Sequence, residues 1–173
     1  MRAQRYFAAS AIVLLLGCAI PVGTPAPSPS MRVGASAGRY GATEARIFDL
    51  INAERQHQGL PALVYNAQLD RMAKIQAENM AYFQKMAHTL PEAQLPTLGD
   101  RARYVGYPFG RLAENVALGY PNAETAVQGW MNSTGHRRNI LDSSVEETGI
   151  GIARSSAGGL YYCQVFGRRL TSL

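Results

Sequence analysis

The sequence contains little cysteine and little charge. Its 173 residues include two cysteines, Cys18 and Cys163, and no Cys-x-x-Cys pair. A zinc knuckle and a thioredoxin-type redox site are therefore excluded. Charged residues make up 17% and no run of five like charges occurs, so no nucleic-acid partner is expected. Hydrophobic residues reach 47%, which is enough for the packed core of one domain.

The first eighteen residues have the pattern of an export signal. Two arginines precede an apolar run from Tyr6 to Leu16, which is shorter than the ~20 residues that a membrane-spanning helix needs. The run ends in Leu-Leu-Gly-Cys, which resembles a bacterial lipobox. We therefore expect Cys18 to be lipidated and to anchor the protein to a membrane. The alternative is ordinary cleavage within residues 19–26, which would release a soluble secreted protein.

Residues 19–42 are rich in proline, glycine and serine, and this composition is typical of a linker rather than of a folded segment. The organisation predicted is a signal over 1–18, a tether over 19–42 and one domain over 43–170. We expect a monomer at the extracytoplasmic face of the cell envelope. A lipidated Cys18 cannot form a disulfide with Cys163. Because Cys163 lies in an apolar strand pattern, it is expected to be a buried, inert thiol.

The domain shows helical spacing first and strand patterns last. Asn66 and Asn122 are N-cap candidates, as is Thr43 for the first helix. The glycine-interrupted pair of β-rich segments near the end predicts a hairpin. The helical segments followed by this hairpin predict an α+β fold with helices packed on a small, mostly antiparallel sheet. Helices are expected near 43–58, 66–87, 98–105, 123–132 and 136–141, and strands near 112–119, 148–153 and 160–166.

Several short motifs occur one after another along residues 45–167. They are Asn52-x-x-Arg55 with Gly59-Leu60-Pro61-Ala62-Leu63, His88, Ala113-Glu114-Asn115-Val116-Ala117 with Gly119, Gly129-Trp130-Met131-Asn132-Ser133-Thr134-Gly135-His136-Arg137-Arg138-Asn139-Ile140-Leu141, Gly149-Ile150-Gly151 and Tyr162-Cys163-Gln164-Val165-Phe166. In order and spacing they resemble the CAP (SCP-like) superfamily of cysteine-rich secretory, antigen 5 and pathogenesis-related proteins. The resemblance implies a three-layer α-β-α sandwich. The scarcity of cysteine matches the small bacterial subgroup.

The resemblance also implies a pocket that holds two histidines and two glutamates. His88 and His136 match the histidines, and Glu114 matches the first glutamate. Glu124 is the candidate for the second, but it lies six residues before Trp130, and Thr125 occupies the expected register. The alternative for Glu124 is a first-turn acid that interacts favourably with the helix dipole.

Two functions are compatible with such a pocket. The first is a binding module for a lipid, an envelope component or a protein partner. The second is a metal-assisted hydrolase in which His88, His136 and Glu114 hold zinc or another divalent metal. Without a metal, Glu114 would hydrogen-bond an imidazole and raise its pKa. The first function, without catalysis, is favoured because the second glutamate is out of register and no separate general base is evident.

Three other residues receive structural predictions. Arg55 is expected to pair with a carboxylate inside the helical layer. Asn115 is expected to tie loops together through its amide. His57, near the end of the first helix, is expected to be exposed.

Overall fold

The computed structural model describes residues 41–170. The predicted signal, Cys18 and all but the last two residues of the predicted tether lie outside this range. The elements in the described range are α1 (Ala42–His57), β1 (Val64–Tyr65), α2 (Ala67–Phe83), α3 (Leu98–Val105), β2 (Phe109–Leu118), α4 (Ala123–Asn132), α5 (Thr134–Ile140), β3 (Glu147–Arg154) and β4 (Leu160–Arg169). Within residues 41–170, no helix has the length and apolar character needed to span a bilayer.

The four strands form one sheet in the order β1-β3-β4-β2. Only the β1–β3 pair is parallel. Helices α2 and α3 cover one face of the sheet, and α1, α4 and α5 cover the other. The structure thus confirms the expected three-layer α-β-α sandwich with a mostly antiparallel sheet.

The side chains of β4 alternate between two hydrophobic cores. Tyr162 and Phe166 belong to the core beneath α1 and α4, whereas Cys163 and Val165 belong to the core beneath α2. The same alternation holds along the edge strand β2. Two neighbouring residues of β2 can therefore reach groups on opposite faces of the sheet.

Local capping chemistry sets several helix starts. The Asn66 side chain accepts hydrogen bonds from the backbone at the start of α2, and Asn122 caps α4, both as predicted. Thr97 and Asp100 form a reciprocal capping box at α3. These short-range signals explain why three of the five described helices begin where the sequence indicates.

Some predicted boundaries are wrong. Helix α1 begins at Ala42 with Gly41 as N-cap, not with Thr43. Helix α2 ends at Phe83 instead of continuing to 87, because Gln84 adopts a left-handed conformation with φ of 52°. The two-residue strand β1 is not predicted, since two residues carry no measurable periodicity.

Two glycines allow the backbone of α2 to lie directly on β3. A Cβ atom at Gly149 would overlap backbone atoms of Leu69 and Asp70, and one at Gly151 would overlap those of Ala73 and Lys74. The Gly-Ile-Gly motif therefore serves close helix–sheet packing. This packing fixes α2, whose C-terminal end leads into the loop that carries His88.

Candidate functional site

The carboxylate of Glu114 is the centre of the candidate site. Glu114 lies on β2 and is buried. Its Oε1 lies 3.0 Å from Nδ1 of His88, and its Oε2 accepts a 2.5 Å hydrogen bond from Nη2 of Arg101. Oε2 also accepts a weaker hydrogen bond from Sγ of Cys163, at 3.5 Å. Both carboxylate oxygens are thus engaged by groups of the protein itself.

Gln76 links the loop that carries His88 to the buried arginine. Its Nε2 donates a 2.6 Å hydrogen bond to the carbonyl of Ala87, and its Oε1 accepts one of 2.6 Å from Nη1 of Arg101. Gln76 of α2 therefore holds the backbone before His88, while Glu114 of β2, itself bound by Arg101 of α3, holds the ring. The His88 side chain nevertheless remains 57% exposed, so much of its ring faces solvent.

The backbone of His136 is held against β2 by its neighbours. The amide of Asn115 donates to the carbonyl of His136 at 3.1 Å. Asn139, one turn further along α5, donates to the carbonyl of Glu114 at 3.2 Å and to Oδ1 of Asn115 at 2.9 Å. These bonds fasten α5 to the edge strand, so that Asn115 does tie segments together as expected. The segment of α5 that contains His136 is consequently fastened to β2 at Glu114 and Asn115.

The two histidines have pKa values displaced in opposite directions. The hydrogen bond and charge of Glu114 raise the pKa of His88, and they outweigh burial and the positive charge of Arg101. Burial lowers the pKa of His136, and the charge of His88 lowers it further. As the pH falls, a proton therefore binds to His88 first. Protonation of His88 therefore disfavours protonation of His136.

Cys163 is fully buried beside Glu114, as its position in an apolar strand predicts. Burial raises the pKa of its thiol well above the usual value, and the neighbouring carboxylate adds to this shift. A thiol that stays protonated is a poor nucleophile and a poor metal ligand. Cys163 therefore serves as a weak hydrogen-bond donor to Glu114.

Glu124 forms an ion pair with a residue of α1. Its Oε1 accepts a 2.7 Å hydrogen bond from Nε of Arg46 on α1, and both side chains are largely exposed. This bond lowers the pKa of Glu124. Thr125 turns back to its own helix cap, since its hydroxyl hydrogen-bonds Asn122. Both side chains thus have partners outside the set His88, Glu114 and His136, and the place of the second glutamate stays a prediction.

The residues present do not fit the predicted three-ligand metal site. Between residues 41 and 170, no three His, Cys, Asp or Glu side chains are close enough together to hold a metal ion. Glu114 is already engaged, and the guanidinium of Arg101 opposes a second cation at its carboxylate. The two imidazoles that remain are fewer than the three protein ligands of a catalytic zinc site. Zinc bound by His88, His136 and Glu114 therefore stays a prediction, which the arrangement of these residues does not favour.

Sequence reasoning misses Arg101 and Gln76. Both are buried polar residues on amphipathic helices, where a polar side chain ordinarily predicts a solvent-facing position. The capping box before α3 locates the helix but not the direction of its arginine. Asn139 lies within one of the family motifs, although its contact with β2 has no signature in the sequence.

The comparisons with known proteins agree with this fold. The family model described as "CAP: Cysteine-rich secretory protein family" matches residues 48–166. The uncharacterized protein YkwD of Bacillus subtilis is 34% identical over 130 residues, which are 73% of this chain and 48% of that protein. The uncharacterized membrane protein YlbC of the same organism is 32% identical over 127 residues, and the match covers 35% of its length. The chain thus matches about half or less of these curated relatives.

Solved structures give the same result. An extracellular protein containing an SCP domain from Bacillus anthracis superposes with a TM-score of 0.67 at 32% identity, over 73% of this chain and 40% of that one. An outer surface protein of Borrelia burgdorferi shares the fold with a TM-score of 0.65 at 21% identity, over 72% and 90% of the two chains. With the family model matched across most of the domain, this chain belongs to the cysteine-rich secretory protein (CAP) family.

Proposed function

We propose that this chain is an extracytoplasmic binding module for a component of the cell envelope, and that the ligand contacts the rings of His88 and His136. One observation carries the proposal. The carboxylate of Glu114 is engaged on both oxygens by His88 and Arg101, so its task is to orient a histidine rather than to act on a substrate.

The groups left for a ligand are hydrogen-bonding ring nitrogens. Nδ1 of His88 faces Glu114, which leaves Nε2 of this largely exposed ring as its outward group. The His136 ring is half-buried and makes no hydrogen bond to any side chain in residues 41–170. Because their pKa values are displaced in opposite directions, there is a pH range in which protonated His88 offers only donors while neutral His136 still offers an acceptor. Such a pair suits a polar, hydroxyl- or amide-bearing ligand.

The location outside the cytoplasm has support from sequence and relatives. The first eighteen residues have the pattern of an export signal. One structural relative is described as an extracellular protein and another as an outer surface protein. We propose anchoring to the membrane through lipidated Cys18, with release as a soluble secreted protein as the alternative.

The metal-assisted hydrolase is less well supported. It requires a carboxylate that is free to ligate an ion or to accept a proton from water. Glu114 is held by a fixed positive charge, and Glu124 lies at the exposed junction of α4 with α1. A ligand-binding role needs the two histidines but no free carboxylate.

Co-sedimentation tests the binding module. The purified full-length chain, with Cys18→Ser in every protein so that no acyl chain contributes, is mixed with isolated peptidoglycan sacculi and, separately, with vesicles of extracted envelope lipids. We expect binding to one of these, and at least ~10-fold weaker binding for His88→Ala/His136→Ala, which is the effect of losing ~1.4 kcal/mol of contacts. The control is His57→Ala, because His57 is exposed at the end of α1. Failure of the wild type to bind either material, or equal binding by both variants, would contradict the proposal.

Cell fractionation tests the anchor. The variant Cys18→Ser cannot be acylated at that position and is expected to leave the membrane fraction. Retention of this variant in the membrane fraction would show that the anchor is not an acyl chain on Cys18.

A further inference from the structure

A cavity lies between α4 and α5. Its volume is about 380 Å³, and its lining shares no residue with the set His88, Glu114 and His136. The lining consists of Met131, Asn132, Thr134, Arg137, Arg138 and Leu141. No carboxylate lies among these residues, so the two guanidiniums have no anionic partner within the cavity wall.

The two arginines are unusual among those of residues 41–170. Every other arginine in that range except Arg168 has a hydrogen bond, an ion pair or a ring contact. The partners are carboxylates, carbonyls, side-chain amides or tyrosines, and the residues concerned are Arg46, Arg55, Arg71, Arg101, Arg103, Arg111, Arg154 and Arg169. Two of the three arginines without such a partner therefore line the same cavity.

The lining combines polar donors with two apolar side chains. Two guanidiniums form charge-assisted, often bidentate hydrogen bonds with phosphate oxygens, and the hydroxyl of Thr134 and the amide of Asn132 add further donors. Met131 and Leu141 are only partly buried and provide apolar surface at the same place. This arrangement matches a phosphate group attached to a short apolar segment better than it matches a bare ion.

We propose that this cavity between α4 and α5 binds a phosphate ester, with Arg137 and Arg138 on the phosphate and Met131 and Leu141 against the adjoining apolar part. The ligand is a phospholipid head group at a membrane surface or a soluble alkyl phosphate. Both present the same chemistry to the cavity. The proposal does not depend on the histidine site.

Isothermal titration of the full-length chain with hexyl phosphate and with inorganic phosphate tests the cavity. All proteins carry Cys18→Ser, so that no acyl chain contributes. The test variant is Arg137→Gln/Arg138→Gln. The control, Arg103→Gln/Arg168→Gln, loses the same two charges outside the cavity, and unchanged circular dichroism checks that each variant is folded.

We expect the wild type and the control to bind hexyl phosphate within threefold of each other, and inorganic phosphate to bind more weakly. The Arg137/Arg138 variant is expected to bind hexyl phosphate at least ~10-fold more weakly, because hydrogen bonds to charged groups contribute that much. No binding by the wild type, equal loss in the control, or no loss in the test variant would overturn the proposal.

Vesicles distinguish the two sources of the phosphate. Phosphatidylglycerol and phosphatidylcholine vesicles are compared by flotation with the same three proteins. Arginine-dependent binding to phosphatidylglycerol vesicles, beyond that to phosphatidylcholine, supports a membrane lipid as ligand. Arginine-dependent binding of hexyl phosphate alone supports a soluble phosphate ester.

Discussion

Nη2 of Arg101 lies 2.5 Å from Oε2 of Glu114, and the two side chains are 0% and 3% exposed. The pair is accompanied by Gln76, which binds the same guanidinium, and by His88 on the other carboxylate oxygen. A buried ion pair adds little net stability, but removal of one member leaves an uncompensated charge. The position of His88 therefore depends on a charge pair that the solvent does not reach.

Replacing Arg101 by Leu should lower the free energy of unfolding by ~3–5 kcal/mol, because the carboxylate of Glu114 is left buried without its cation. Urea denaturation measures the loss. Arg103→Leu on the same helix is the control, and its loss should be much smaller because Arg103 is exposed. Equal losses in the two variants would contradict the claim that Glu114 is left as an uncompensated buried charge.

The charge of Glu114 controls the protonation of His88. Glu114→Gln removes the charge that raises the pKa of His88, so NMR titration should find a lower pKa in the variant. Because the pKa is raised on folding, the ionic contribution of His88 to stability is complete below its unfolded value of ~6.5 and is lost as pH rises through the folded value. This loss should be reduced in Glu114→Gln. An unchanged His88 pKa in the variant would contradict the assignment.

A side chain at position 151 should destabilise the fold. Gly151→Ala places a methyl group against the backbone of α2 at Ala73 and Lys74, where no flexible side chain can yield. We expect a loss of at least ~1–3 kcal/mol in unfolding free energy by urea denaturation. Gly135→Ala in α5 is the matched control, since no atom outside its own turn lies within 4 Å of the new Cβ, and it should leave stability unchanged or raised. The reverse ranking would refute close contact between α2 and β3.

The helices and the hairpin are predictable because their signals are local. Asparagine caps, the Thr97–Asp100 capping box and apolar spacing act within a few residues. The family motifs then indicate which distant segments meet. His88 and Glu114 are matched in this way, and the structure places them in hydrogen-bonding contact.

The errors concern polar side chains whose partners are distant in sequence. Arg55 is expected to pair with a carboxylate, but its buried guanidinium donates instead to backbone carbonyls, those of Pro61, Ile140, Asp142 and Val145. Loop carbonyls that lack other partners need such a donor, and no residue type reveals them in a sequence. The partner of Glu124 is missed for a related reason, since Arg46 lies on another helix.

The exposed ion pair of Glu124 should matter little to the site. Glu124→Gln is expected to leave the pKa values of His88 and His136 unchanged in an NMR titration, because its carboxylate faces Arg46. The thermal midpoint should change only slightly, as is usual for exposed pairs. A shifted pKa of either histidine in this variant would support the predicted place of Glu124 in the pocket.

The pKa of His136 tests the shared histidine site most directly. NMR titration of the wild type should give a value below ~6.5, the ordinary value for histidine. In His88→Ala the pKa of His136 should rise, because the charge of His88 is removed, yet remain below the ordinary value, because burial is the larger cause. His57→Ala should leave it unchanged. A His136 pKa that is the same in the wild type and in His88→Ala would contradict the claim that the two rings share one site.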